Sequence, residues 1–466
     1  MRLSFSSAAA RVAFAALAGS LALTSCSPEQ TAPAPNAGPL DFSKHVAVGD
    51  NYIAGYSDGG LTLAGQQYSL GLLLDQQFAM AAGSPSSFTQ PLMPAGTGSG
   101  YLKLRELTPA GLLLTSRVTA GRMTQGSYIN PNACGGPDTA FVYPRATNVV
   151  PRNLGVPFIR LTQIDSVGLG NAANLRKPNF NPFLERLLPA GDNRSYLQLV
   201  TDGTANATFF TFSMGLGDVL PYLLAGGECN SALPNTAAIN LMKANVKKIL
   251  DKVTDNGKRR GIICLAPYSM NQLPILDRGS ITRAQALVQA TDTIYVRGSI
   301  PANVVRPMAA KDDYILPSGL AQLGKAQTIT LPGGGTASVR YGVDKRNPLS
   351  RRDVLDLNEY SRVNQAITTI NDEIVRLADA VYKVPVINRS VGGINVFDQV
   401  SKRISVNGVE YSPEPVRGNF YSLDQYTLAP RGTAIMANAM IREINRFYGA
   451  SIPQLDPNTL PTDSQR

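Results

Sequence analysis

Twice in this chain a helix-period run ends and passes at once into a strand, and this alternation limits the fold more than any other feature. Residues 236–254 set Ile239, Met242, Val246, Ile249, Leu250 and Val253 on one face, with Asn256-Gly257 as the stop. The apolar residues 261–265 follow directly. Residues 361–382 carry Val363, Ile367, Ile370, Ile374, Leu377 and Val381 at steps of four and three, and a strand over 384–388 follows. Pro430 opens a last helix with Ile435, Ala439 and Ile444. Such alternation predicts a parallel sheet with helices on both faces, whose ligands sit beyond the carboxyl ends of the strands.

Two hairpins interrupt this pattern. Gly333-Gly334-Gly335 joins residues 328–331 to 337–341, and Asn407-Gly408 joins 404–406 to 409–411. The triglycine does not precede a helix, so it is a hairpin loop and not a phosphate-binding loop. The first hairpin lies in an insertion near 280–350, the second in a small one before the last helix. Both are expected at the cleft side or an edge.

The amino terminus carries an address. Arg2 and Arg11 precede an apolar run from Val12 to Leu23, too short to span a bilayer as a helix. It ends Leu23-Thr24-Ser25-Cys26, a lipobox-like signal that predicts removal of residues 1–25 and lipidation of Cys26. Residues 26–40 are a Pro-rich tether, 41–455 a single domain, and 456–466 a tail. The partner expected on this basis is a lipid bilayer, reached through acylated Cys26.

Four blocks carry possible chemistry. The first is a strand from His45 followed by Gly49-Asp50-Asn51, opening a helix. The second is Asn153-Leu154-Gly155-Val156-Pro157-Phe158, and the third Phe209-Phe210-Thr211-Phe212-Ser213-Met214-Gly215-Leu216-Gly217-Asp218. The last is Leu423-Asp424-Gln425-Tyr426-Thr427 with Pro430-Arg431-Gly432 behind it. In order and spacing, together with Gly55-Tyr56, Asp58-Gly59-Gly60 and Gln90-Pro91-Leu92-Met93, these blocks resemble the SGNH/GDSL lipase–esterase family, in its Bacteroidetes-type lipoprotein branch. The resemblance covers residues 44 to 455 or so. It implies a flavodoxin-like three-layer α/β/α fold with a parallel sheet and hairpin insertions, in an outer-membrane lipoprotein that faces either the periplasm or the outside.

The same resemblance shows what has changed. Asn51 stands at the nucleophilic serine, Phe158 at the glycine of one oxyanion donor, and Gly217 at the asparagine of the other. Asp424 is kept, but Thr427 replaces the histidine base. Loss of one oxyanion donor alone costs roughly 10²–10³ in rate, and loss of nucleophile or base removes most of what remains. The one histidine, His45, starts the first strand, about 20 Å from its functional end. The resemblance therefore implies a catalytically inactive, membrane-anchored binding or docking protein, with an acyl or glycan ligand or an outer-membrane protein as partner. The alternative is an active ester hydrolase with a non-standard site, in which Asp50, Asp58, Asp218 and Asp424 supply acid–base groups or hold a metal. Without a histidine to orient, Asp424 is expected to bond the Thr427 hydroxyl, backbone N–H groups near Pro430, or Arg431.

No cofactor is expected. The cysteine spacings match no zinc pattern. Cys134 and Cys229 lie in Gly-rich loops and are a candidate disulfide, whereas Cys264 sits in an apolar strand and reads as a buried thiol. The net charge is +10. Its basic runs, Lys258-Arg259-Arg260 and Arg351-Arg352, are short and carry no nucleic-acid motif, so nucleic acid is not an expected partner. They are solvated loop charge or, more sharply, an attraction to anionic lipid or polysaccharide.

Overall fold

Five strands pair in parallel to make the centre of the molecule: β1 (His45–Gly49), β2 (Asn153–Gly155), β3 (Phe209–Ser213), β4 (Arg260–Cys264) and β5 (Val386–Ile387). Their spatial order is β2-β1-β3-β4-β5, the order of doubly wound sheets whose switch point lies between the first and third strands. The computed structural model describes residues 34–465, apart from 110, 120–124, 131–137, 147–149, 178, 277–279, 290 and 310. The expected signal peptide, Cys26 and Cys134 lie outside the described residues. Residues 36–466 cluster as one unit.

The flanking helices are α1 (Leu70–Ala82), α2 (Tyr196–Thr204), α3 (Leu216–Leu224), α4 (Thr236–Val253), α5 (Leu357–Leu377) and α6 (Pro430–Tyr448). Strand alternation divides the core in two. Ala47, Phe209, Ile262, Cys264 and Ile387 point to one face, where α1 and α6 cover them. Val46, Val48, Phe210, Phe212, Ile263 and Val386 point to the other, beneath α2, α4 and the second half of α5. The arrangement is a mixed α/β fold compatible with three layers.

Helix α4 spans the expected run and buries Met242, Val246, Ile249, Leu250 and Val253. Helix α5 departs from expectation at both ends. It starts earlier because Asp356 and Glu359 form a reciprocal capping box. It stops at Leu377, where a π-turn over Ala378–Tyr382 takes over. That turn rotates the face, so Val381, expected in the core, is 48% exposed.

Both expected hairpins form. Ala326–Thr330 pairs with Thr336–Arg340, and Ile404–Val406 with Val409–Tyr411. In the second, Asn407 and Gly408 have φ of 48° and 80°, the two left-handed residues a tight hairpin turn requires. The insertion around the first builds a small core of its own, with Ile294, Val296, Ile315, Tyr341 and Leu349. A third, unexpected hairpin joins Tyr101–Leu107 to Leu113–Val118. Among the described residues no helix is long and apolar enough to cross a membrane.

Candidate functional site

The site region lies where β1, β2 and β3 end. Asp50 and Asn51 leave β1 and open a single helical turn, Asn51–Ala54, closed by left-handed Gly55. The Tyr196 hydroxyl takes the Gly49 N–H and donates to the Leu154 carbonyl, which ties the ends of β1 and β2 together. All of Asn51 to Ala54 is buried.

Asn51 and Phe158 meet directly: the Phe158 N–H donates to Asn51 Oδ1 at 2.8 Å. Phe158 has φ 58°, a left-handed conformation that glycine adopts readily and phenylalanine rarely does. The backbone here therefore has the shape a glycine would give it. The Phe158 ring turns aside and packs edge-on against Tyr56, centroids 5.1 Å apart. Asn51 Nδ2 is buried and has no hydrogen-bond partner.

Gly217 lies in the first turn of α3 and joins the same cluster. Its N–H donates to Asp50 Oδ2 at 3.1 Å. A Cβ at this position would stand 2.3 Å from the Ile159 carbonyl oxygen and 3.2 Å from Phe158 C. The 158–159 backbone fills the space a side-chain amide would need.

Asp424 and Thr427 form a second cluster. Asp424 Oδ1 accepts the Tyr426 and Thr427 N–H groups at 3.0 and 2.7 Å; Oδ2 accepts the Gly59 N–H at 2.9 Å and the Thr427 hydroxyl at 2.5 Å. The expected Thr427 partner is present, but Arg431 is not: its guanidinium turns to the carbonyls of Asn458 and Leu460. Nor does Asp424 cap α6, whose N-cap is Ala429 with no side-chain bond. The neighbouring Asp58 works reciprocally, accepting the Leu423 N–H at 3.0 Å and the Ser464 hydroxyl. The two clusters touch through Tyr52, whose hydroxyl donates to the Tyr426 carbonyl at 3.2 Å.

His45 takes no part. Its Nδ1 pairs with Asp75 and its Nε2 with Thr211, each at 3.0 Å, and the ring is buried against Phe78 and Phe88. Cys229 is disulfide-bonded. Cys264 is a buried free thiol, and its burial pushes its pKa up to about 12. Among the described residues no group of acidic, histidine or cysteine side chains is arranged to hold a metal ion.

Burial sets the electrostatics. Desolvation pushes the Asp50 carboxyl up to about 7, against the pull of the N–H groups of Gly217, Gly215 and Asn51. It pushes Asp58 and Asp218 to about 6 each, and Glu359, away from the site, to about 7. A carboxyl whose pKa is higher folded than unfolded adds stability that is complete below the unfolded value. That stability is lost as pH rises through the folded value. These four groups therefore lower stability between about pH 4 and pH 7. The melting temperature is expected to be several degrees higher at pH 5 than at pH 8, at fixed ionic strength. Asp50→Asn should narrow the gap, and equal melting temperatures at the two pH values would contradict the assignment.

One large cavity borders the second cluster. It measures about 300 Å³ and is walled by Leu102, Leu113, Leu224, Ile275 and Leu316, with Tyr56, Arg117, Asp424, Gln425 and Tyr426 at its polar side. The unexpected hairpin supplies Leu102, Leu113, Thr115 and Arg117. Arg117 binds the carbonyls of Gly59 and Ser99. Gln425 is held at φ 67°, a strained conformation at a cavity wall. Neither Arg117 nor Gln425 stands out in the sequence, because a hairpin 300 residues upstream of the loop it covers leaves no local pattern.

As chemistry, the arrangement offers a buried amide at Asn51, a Phe158 N–H already engaged by it, and a Thr427 hydroxyl bonded to Asp424. Comparison with protein-family models, with curated proteins and with solved structures gives no match.

Proposed function

We propose that this chain is a non-hydrolytic binding protein on an SGNH-hydrolase-like frame, anchored in the cell envelope as an outer-membrane lipoprotein through Cys26. One observation carries the reading: the Phe158 N–H that would stabilise an oxyanion is bonded instead to Asn51 Oδ1 at 2.8 Å. An oxyanion donor contributes only when it is free to meet the developing charge. Gly217 adds support, since the second donor has no room.

The ligand cleft of such a protein is the cavity of about 300 Å³ beside Asp424. Its aliphatic wall with a few polar groups at one side suits an acyl chain or the apolar face of a glycan. Docking on an outer-membrane protein is compatible with the same reading.

The purified full chain is expected not to turn over short-acyl nitrophenyl esters above a buffer blank. Asn51→Ser should not restore turnover, because Thr427 supplies no base. Turnover that survives Asn51→Ala, or that disappears in Asp50→Asn, would favour the active-hydrolase reading, with Asp50 as its acid–base group.

A further inference from the structure

A second cavity, of about 250 Å³, lies between residues 160–162, α3, the loop before α4 and the first two turns of α4. One wall is hydrocarbon: Ala232, Leu233, Ala238, Leu241 and Met242. Leu241 is 43% exposed, so the mouth is apolar as well. At the other end stands Arg160, only 8% exposed.

None of the groups that Arg160 donates to is charged. Its Nε donates to Gln163 Oε1 at 2.8 Å, Nη1 to the Ser231 carbonyl at 2.7 Å, and Nη2 to Asn179 Oδ1 at 3.4 Å. All three acceptors are neutral, and two of the five guanidinium N–H groups remain. The Asp218 carboxylate also lines the cavity and favours the charged guanidinium through space, but its oxygens are spent on the Leu161 and Thr162 N–H groups, at 2.7 and 3.1 Å, and on the Thr162 hydroxyl, none of them on Arg160. Among the described residues no salt bridge reaches this guanidinium. A cation taken out of water without a directly bonded counter-ion is costly, and a planar guanidinium with free donors matches a carboxylate. The loop that forms one wall is held by disulfide-bonded Cys229.

We propose that this cavity binds a small amphiphilic anion, a carboxylate on a short aliphatic chain, with Arg160 holding the head and Ala238, Leu241 and Met242 the tail. The site shares no lining residue with the cavity beside Asp424, so it stands or falls separately from the function proposed above.

Hexanoate is the probe, titrated calorimetrically into the full chain. One saturable site is expected, with hexanol bound about tenfold more weakly or worse because it lacks the charge. Arg160→Met should lose a similar factor. Because that variant also removes structural bonds, Ala238→Phe is the second arm: it fills the cavity from the helix wall, away from the guanidinium, and should abolish binding at an unchanged melting temperature. Leu113→Phe, in the other cavity, should leave the isotherm as it was. Failure to saturate by about 10 mM hexanoate, equal affinity for hexanol, intact binding in Ala238→Phe, or loss in Leu113→Phe would each overturn the proposal.

Discussion

Asp424→Ala is expected to destabilise the protein by roughly 3–5 kcal/mol. The carboxylate is 5% exposed and accepts four hydrogen bonds, three from backbone N–H groups and one from the Thr427 hydroxyl. Its removal leaves those donors buried without acceptors, and each such group costs about 1–3 kcal/mol before relaxation. The Gly59 bond is the one that reaches across, joining the loop after β1 to the loop before α6. Both loops should loosen together. Thermal unfolding would show a drop of about 5–10 °C, and hexanoate binding in the folded fraction should persist, since that cavity has no wall in either loop. An unchanged melting temperature with a ligand-binding or hydrolytic activity lost would mean that Asp424 is a functional residue and not a structural one.

Gly217→Asn is expected to cost a comparable amount or more. It introduces the side chain that the resembled family carries at this place, so it tests whether the site can hold one. Any Cβ there meets the Ile159 carbonyl oxygen at 2.3 Å, and the obstacle is backbone, which cannot swing away as a side-chain tip does. Relief requires moving residues 158–159, which would break the Phe158 bond to Asn51 and disturb the Leu161 and Thr162 N–H groups that bind Asp218. A loss of roughly 3 kcal/mol or more follows, read as little soluble protein or a strongly lowered denaturation midpoint. Gly217→Ala should suffer nearly as much, because the clash begins at Cβ. Wild-type stability in both variants would show that the 158–159 segment moves easily.

What the sequence foretold divides along physical lines. Elements with strong local signals were legible. The α4 periodicity has a cap at one end and Asn256-Gly257 at the other. The two hairpins were announced by Gly333-Gly334-Gly335 and Asn407-Gly408. Positions 51, 158, 217 and 427 could be singled out as candidates, because each sits in a short contiguous block. Their contacts were not legible. That the Asn51 amide would bond to the Phe158 N–H depends on two segments 107 residues apart in the chain. That Val381 would face solvent depends on a π-turn, which a steady helical period does not announce. Arg160 lies just past the second block and looks like any surface arginine. Its burial comes from the loop and helix that fold over it. Asp424 was legible as a residue needing partners, whereas the choice of Gly59 over Arg431 rests on how the first and last loops dock.

That docking also bears on when the molecule is complete. Asp58, one loop beyond the first strand, is bonded to Leu423, 365 residues further along, and to Ser464, 406 residues along. Contacts of such span lengthen the search for the native state, and a chain delivered from its amino end cannot make them until nearly all of it has arrived. β1, β2 and β3 can pair while synthesis is still under way. The cavity wall that Asp424 forms can close only last, so a nascent chain would hold its sheet for some time before that cavity existed.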